Sequence, residues 1–101
     1  MTDRELLELA AKAAGIKTSL HKETDSLWVD GPRVWNPLTD SGDAFRLAVK
    51  FQFKFEIDMV RSKIAIRHSD IKILEDYDSD PSRATRRAIV RAAAEIGKGM
   101  K

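Results

Sequence analysis

The chain contains no cysteine, which removes disulfide frameworks, thiolate metal sites and cysteine nucleophiles together and fits a reducing compartment. With two histidines and five scattered glycines, it has few candidates for an imidazole general base and no glycine-rich phosphate loop. No serine, threonine or lysine is paired in sequence with a plausible base. Long apolar runs are also missing. Asp3, Arg4, Glu5, Glu8 and Lys12 interrupt the segment from Met1 to Gly15, which is therefore not read as a signal peptide, and no stretch is continuous enough for a membrane span. A net charge of +2 with pI near 9.0 is too mild to announce a polyanionic partner. Neither an internal repeat nor a low-complexity segment is present.

What is there is an ordinary globular composition, 43% hydrophobic and 34% charged over 101 residues, which bounds the chain to one domain spanning 1–101 and a cytoplasmic setting. Phe51 to Met59 alternates apolar with polar or charged residues, the mark of a strand with one face on a core and one in water. That reading makes the strand the organising element and expects Phe53, Phe55 and Ile57 to be buried, with Gln52, Lys54 and Glu56 outside. Arg61-Ser62-Lys63 then reads as a turn, Ile64 and Ile66 as the inward residues of a hairpin partner, and Ile71 and Ile73 as a further short strand.

Three helices are expected around it. Thr2-Asp3-Arg4-Glu5 has the form of a capping box, Leu6, Leu9, Ala10 and Ala13 recur on one face, and Gly15 supplies a left-handed stop, predicting a helix over Asp3 to Ala14. Asp40 is placed to cap a second, largely buried helix ending near Lys50, with Asp43 adding negative charge near its positive end. Asp80-Pro81 opens the third, which Gly97 or Gly99 ends. On it Thr85, Ala88, Ile89, Ala92, Ala93 and Ile96 share one face, and Arg83, Arg87, Arg91 and Lys98 the other. Between the first two helices, Ile16 to His21 and Leu27 to Val29 read as short antiparallel strands joined by a polar turn at Lys22 to Asp25. The whole is an α+β fold: an antiparallel sheet of about four to five short strands covered by three helices in the order α-β-β-α-β-β-(β)-α, layered helix-sheet-helix.

Each candidate site has a plain alternative. His21 with Glu23 and His68 with Asp70 would each lie on one strand face, yet such pairs are common and read as solvated strand-end residues. Asp76-Tyr77-Asp78-Ser79-Asp80 matches the first half of a calcium loop. Pro81 stands where the turn glycine belongs and Arg87 where the closing glutamate belongs, so a capping loop is favoured. Arg83, Arg87 and Arg91 form a stripe that could follow a phosphate backbone, against the reading of a merely solvated helix face; the acidic residues Glu75, Asp76, Asp78 and Asp80 just upstream oppose a polyanion. Trp28 and Trp35 flank Gly31-Pro32 and are either core residues or partner-binding anchors. No catalytic, cofactor or metal constellation emerges, and an enzyme is not expected.

The N-terminal segment Met1-Thr2-Asp3-Arg4-Glu5-Leu6, the central Trp35-Asn36-Pro37-Leu38-Thr39-Asp40 and the C-terminal Ala84-Thr85-Arg86-Arg87-Ala88-Ile89-Val90-Arg91 together resemble small proteins of tailed phages and prophages described as the phage ABA sandwich domain. The resemblance implies an origin and a layered helix-sheet-helix fold, and it offers no functional residues. It leads to the expectation of a small phage accessory protein that binds a bacterial host protein through the tryptophans, in the host cytoplasm. A nucleic-acid-binding module using the basic helix face is the alternative; oligomeric state stays open.

Overall fold

The computed structural model describes residues 1–21, 26–29, 33–76 and 80–100, with His21 described in its backbone only. The turn at Lys22 to Asp25, the Gly31-Pro32 loop and Tyr77 to Ser79 of the calcium-like loop lie outside the described residues.

Local chemistry sets the helix ends. The first helix, α1 (Asp3–Ala14), opens on the capping box: the Glu5 N–H donates to Thr2 Oγ1 at 3.1 Å and the Thr2 N–H to Glu5 Oε1 at 3.2 Å. That bond from the Thr2 N–H is the main reason the Glu5 carboxyl lies below its ordinary pKa. Gly15, at φ 71°, closes the helix, its N–H reaching the Lys12 carbonyl while the Ile16 N–H reaches Ala11 across the last turn. After α1 come β1 (Ser19–His21), β2 (Ser26–Val29) and β3 (Arg33–Trp35), an antiparallel sheet in sequence order. The third of these strands was not foreseen, because Arg33 to Trp35 is too short a run to show alternation.

Asp40 caps α2 (Ser41–Phe51) by accepting from the Asp43 N–H at 2.9 Å. The helix ends as α1 does, but with Gln52 in the left-handed position at φ 55°, the Gln52 and Phe53 N–H groups returning to Val49 and Ala48. A second antiparallel sheet follows, of β4 (Lys54–Asp58), β5 (Lys63–His68) and β6 (Ile71–Asp76), with β5 in the centre. The last helix, α3 (Pro81–Lys98), is capped by Asp80 with Pro81 at its start and ends at Gly99.

The α+β class and the roughly helix-sheet-helix layering are as the sequence implied. The described strands divide between two small sheets, where one was expected. The organising element also differs, because α3 is the element that packs on α1, on α2, and across β5 and β6. Its buried residues, Ala84, Ala88, Ile89, Val90, Ala92, Ala93, Ala94 and Gly97, run around most of its circumference and not along one stripe. Small side chains let α1 come close. A Cβ built on Gly97 would lie 2.9 Å from the Leu9 carbonyl carbon and nearer still to its oxygen.

Phe51 to Met59 is accordingly peripheral. Phe53 is buried, stacked on Phe51 at 5.4 Å with the His68 ring edge-on at 5.5 Å. Phe55 and Ile57, expected inside, are 44% and 64% exposed. The register explains why. Phe55 pairs with Ile66 and Ile57 with Ile64, so both point to the same face as the fully buried central isoleucines. The alternation reported the right face. That face is covered by α3 over β5 and β6, and β4 overhangs at the sheet edge.

Candidate binding surface

The surface that stands out is apolar. On α2, Phe45 and Val49 are 68% and 58% exposed, four residues apart and so one turn above the other, which corrects the expectation of a largely buried helix. Asp43, Ala44, Leu47 and Ala48 occupy its inward face. Beyond Gln52, Phe55 and Ile57 add exposed apolar area on β4, and Met59 and Val60 in the turn after it are exposed as well. Asp58 shapes that turn by accepting from the Val60 and Arg61 N–H groups at 3.1 and 3.0 Å, which holds the two hydrophobic side chains at its tip.

Two of the three stripe arginines are paired with carboxylates of the same chain. Arg87 donates to Asp3 at 3.2 Å, drawing the start of α1 onto α3. Arg91 donates to Glu75 and, at 3.1 Å, to the Leu74 carbonyl oxygen. Lys98 is paired with Glu95 at 3.1 Å. These cations line a groove of about 380 Å³ with Met1, Leu6, Glu75 and Glu95, and each faces its own carboxylate. Of the three stripe arginines, Arg83 alone has no ion pair among the described residues. Sequence reasoning placed Glu75 in the acidic run but missed its pairing with Arg91. The glutamate continues the inward series Ile71, Ile73, Glu75, and its place in that alternation was the signal that it faces α3.

The tryptophans separate. Trp35 is 3% exposed and belongs to the core. Trp28 is half-buried on β2, across from the exposed Val34 of β3.

The central Trp35-Asn36-Pro37-Leu38-Thr39-Asp40 segment, with Asp43, forms a hydrogen-bonded junction. Asn36 Oδ1 accepts from the Leu38 N–H and the Asn36 carbonyl accepts from the Thr39 and Asp40 N–H groups, forming a tight turn around the buried Pro37. Arg86 of α3 donates to the Leu38 carbonyl oxygen at 2.9 Å and to Ser41 Oγ at 3.2 Å. At the centre Asp43, 2% exposed, accepts from the Asn36 N–H at 3.0 Å, from Arg46 at 3.0 Å and from Arg33 at 3.1 Å. Burial pushes its carboxyl pKa up. The Asn36 N–H and then the two guanidinium groups outweigh burial, and the net pKa lies below the ordinary value. The junction ties β3, α2 and α3 together.

His68 was read as a solvated strand-end residue, but it is half-buried, its ring edge-on to Phe51 at 6.1 Å as well as to Phe53. No group of three or more potential metal ligands converges among the described residues. No described helix is long and apolar enough to cross a membrane. Comparisons with protein-family models, with curated proteins and with solved structures find no match to this chain.

Proposed function

We propose that this chain is a non-catalytic protein-binding module whose docking surface is the exposed apolar face of α2 and the adjoining β4 and its turn. The observation that supports it is the clustering along residues 45–60 of exposed Phe45, Val49, Phe55, Ile57, Met59 and Val60, since large apolar side chains left in water along a short run mark interaction sites. Pairing of Arg87 and Arg91 with carboxylates of the same chain weighs against a nucleic-acid partner, because a cation already neutralised releases few counterions from a phosphate backbone. The phage resemblance, which rests on the sequence segments alone, would make the partner a bacterial host protein met in the cytoplasm.

The test is capture from a bacterial lysate by tagged protein, with and without nuclease, comparing wild type with the double variant Phe45→Ser/Val49→Ser. The expected result is a protein that survives nuclease and is lost with the variant, while duplex DNA shows no sub-micromolar binding at physiological salt. Capture that vanishes with nuclease, or that ignores the α2 substitutions, would refute this assignment.

A further inference from the structure

The open edge of β4 carries a pattern that suits one partner in particular. Among the described residues β4 has a strand on one side only, and its five residues contain no proline, glycine or bulge to blunt the free edge. The opposite edge of the sheet is treated differently. On β6, Arg91 of α3, which packs against that strand, occupies the Leu74 carbonyl oxygen. Among the described residues the β4 edge has no such cover, and the strand carries exposed Phe55 and Ile57 on one face of the sheet and Lys54, Glu56 and the half-buried Asp58 on the other.

We propose that β4 pairs antiparallel with β4 of a second copy of this chain, about a twofold axis at Glu56, joining the two three-stranded sheets into one of six. This rests on the reading of β4 as part of a binding surface and names its partner. Paired residues of antiparallel strands share a face, so the axis must pass through a residue of the strand. An axis at Ile57 sets Glu56 against the partner copy's Asp58, two like charges, and an axis at Phe55 leaves Ile57 and Asp58 without a strand residue opposite. An axis at Glu56 uses all five. It places Lys54 against Asp58 and Phe55 against Ile57, each twice by symmetry, so the polar face gains two opposite-charge pairs and the apolar face two hydrophobic ones. Lys54 has no ion pair among the described residues and is available for this contact. The one like-charge meeting, Glu56 with Glu56, is offset because each glutamate is already bridged at 2.8 Å by Arg67 of its own β5. Asp58 keeps its turn hydrogen bonds through Oδ1, and Oδ2, 3.7 Å from Arg61 Nε, faces only a loose exposed pair. Phe45 and Val49 of α2 are not part of this pairing and stay available for another protein.

A five-residue strand covers less than the roughly 800 Å² per partner of a standard interface, so the dimer should form with micromolar affinity. Sedimentation equilibrium from about 1 µM to about 500 µM covers that range. Wild type should show a concentration-dependent dimer. Lys54→Asp and Asp58→Lys should each weaken it by at least about tenfold, as two like-charge pairs replace two opposite ones, and the double exchange Lys54→Asp/Asp58→Lys should restore it. Ile57→Lys, at an exposed position, should give a monomer whose melting temperature matches that of monomeric wild type. A wild-type chain that stays monomeric across the range overturns the proposal, as does a dimer indifferent to Lys54→Asp and Ile57→Lys or a double exchange that fails to recover it. The readout is independent of lysate capture: a monomer that still captures a host protein through α2 sinks the strand pairing alone, and a dimer that captures nothing sinks the host-binding role alone.

Discussion

Removing the Asp43 carboxylate should destabilise the fold by about 2–4 kcal/mol, although no apolar contact is lost. The main part is the Asn36 N–H, which sits in a half-buried turn and would lose its acceptor at about 1–3 kcal/mol. Arg33 and Arg46 add less, since their side chains are 50% and 64% exposed and return to water, so that each broken pair is worth no more than about 1 kcal/mol. Asp43→Asn keeps the shape and one acceptor oxygen and should cost about half as much as Asp43→Ala. Urea denaturation with an unchanged slope checks both. The pH dependence gives the sign. Because the folded carboxyl pKa lies below its unfolded value, near 3.9, the ionised form stabilises the fold fully above that value, and the contribution is lost as pH falls through the lower folded pKa. The stability gap between wild type and Asp43→Asn should therefore be flat from about pH 5 to 8 and shrink below about pH 4. An Asp43→Ala protein within about 0.5 kcal/mol of wild type at pH 7 would refute the reasoning.

Two further substitutions test the packing. Phe53→Ala, which empties a buried site between Phe51 and His68, should cost about 3 kcal/mol, whereas Phe55→Ala in the monomer should cost only about 1 kcal/mol because nearly half that ring is already in water. Equal losses in chemical denaturation would mean that β4 is covered after all. Glycine to alanine inside a helix ordinarily stabilises by about 0.5–1 kcal/mol, but Gly97→Ala should destabilise by about 1–3 kcal/mol, because the new methyl group meets the Leu9 backbone of α1. A raised melting temperature would show that α1 and α3 do not approach so closely.

The helix ends were legible because they are decided within four or five residues. Thr2 with Glu5, Gly15, Asp40 and Asp80 each act on neighbours in the chain, and all four sit where the sequence placed them. What was not legible depended on partners distant in sequence. Arg87 and Arg91 read as a solvated basic face because, of the residues near them in the chain, only Glu95 opposes them. Their carboxylates come from Asp3 and Glu75, which arrive only when α1 and β6 pack on α3. Asp43 was read as a charge favouring a helix start, and only the return of Arg33 and Asn36 from the preceding segment makes it a buried acceptor.

The misjudged burial of β4 has a more general cause. Alternation records which way side chains point, and the pairing of Phe55 with Ile66 and Ile57 with Ile64 shows that the direction was right. Burial needs a second element across that face, and α3 spans β5 and β6 but not the edge strand. Two exposed apolar residues retained at the inward positions of an edge strand are costly for a lone chain, both in water-exposed area and in the hazard of uncontrolled pairing. Charges at those positions would have removed the hazard, and the chain has them one position away on each side, at Lys54, Glu56 and Asp58. If β4 pairs with a second copy as proposed, the apolar residues would supply adhesion and the charges would act on register: pairing about Ile57 sets Glu56 against Asp58, like charges, whereas pairing about Glu56 sets Lys54 against Asp58 and leaves no strand residue without an opposite.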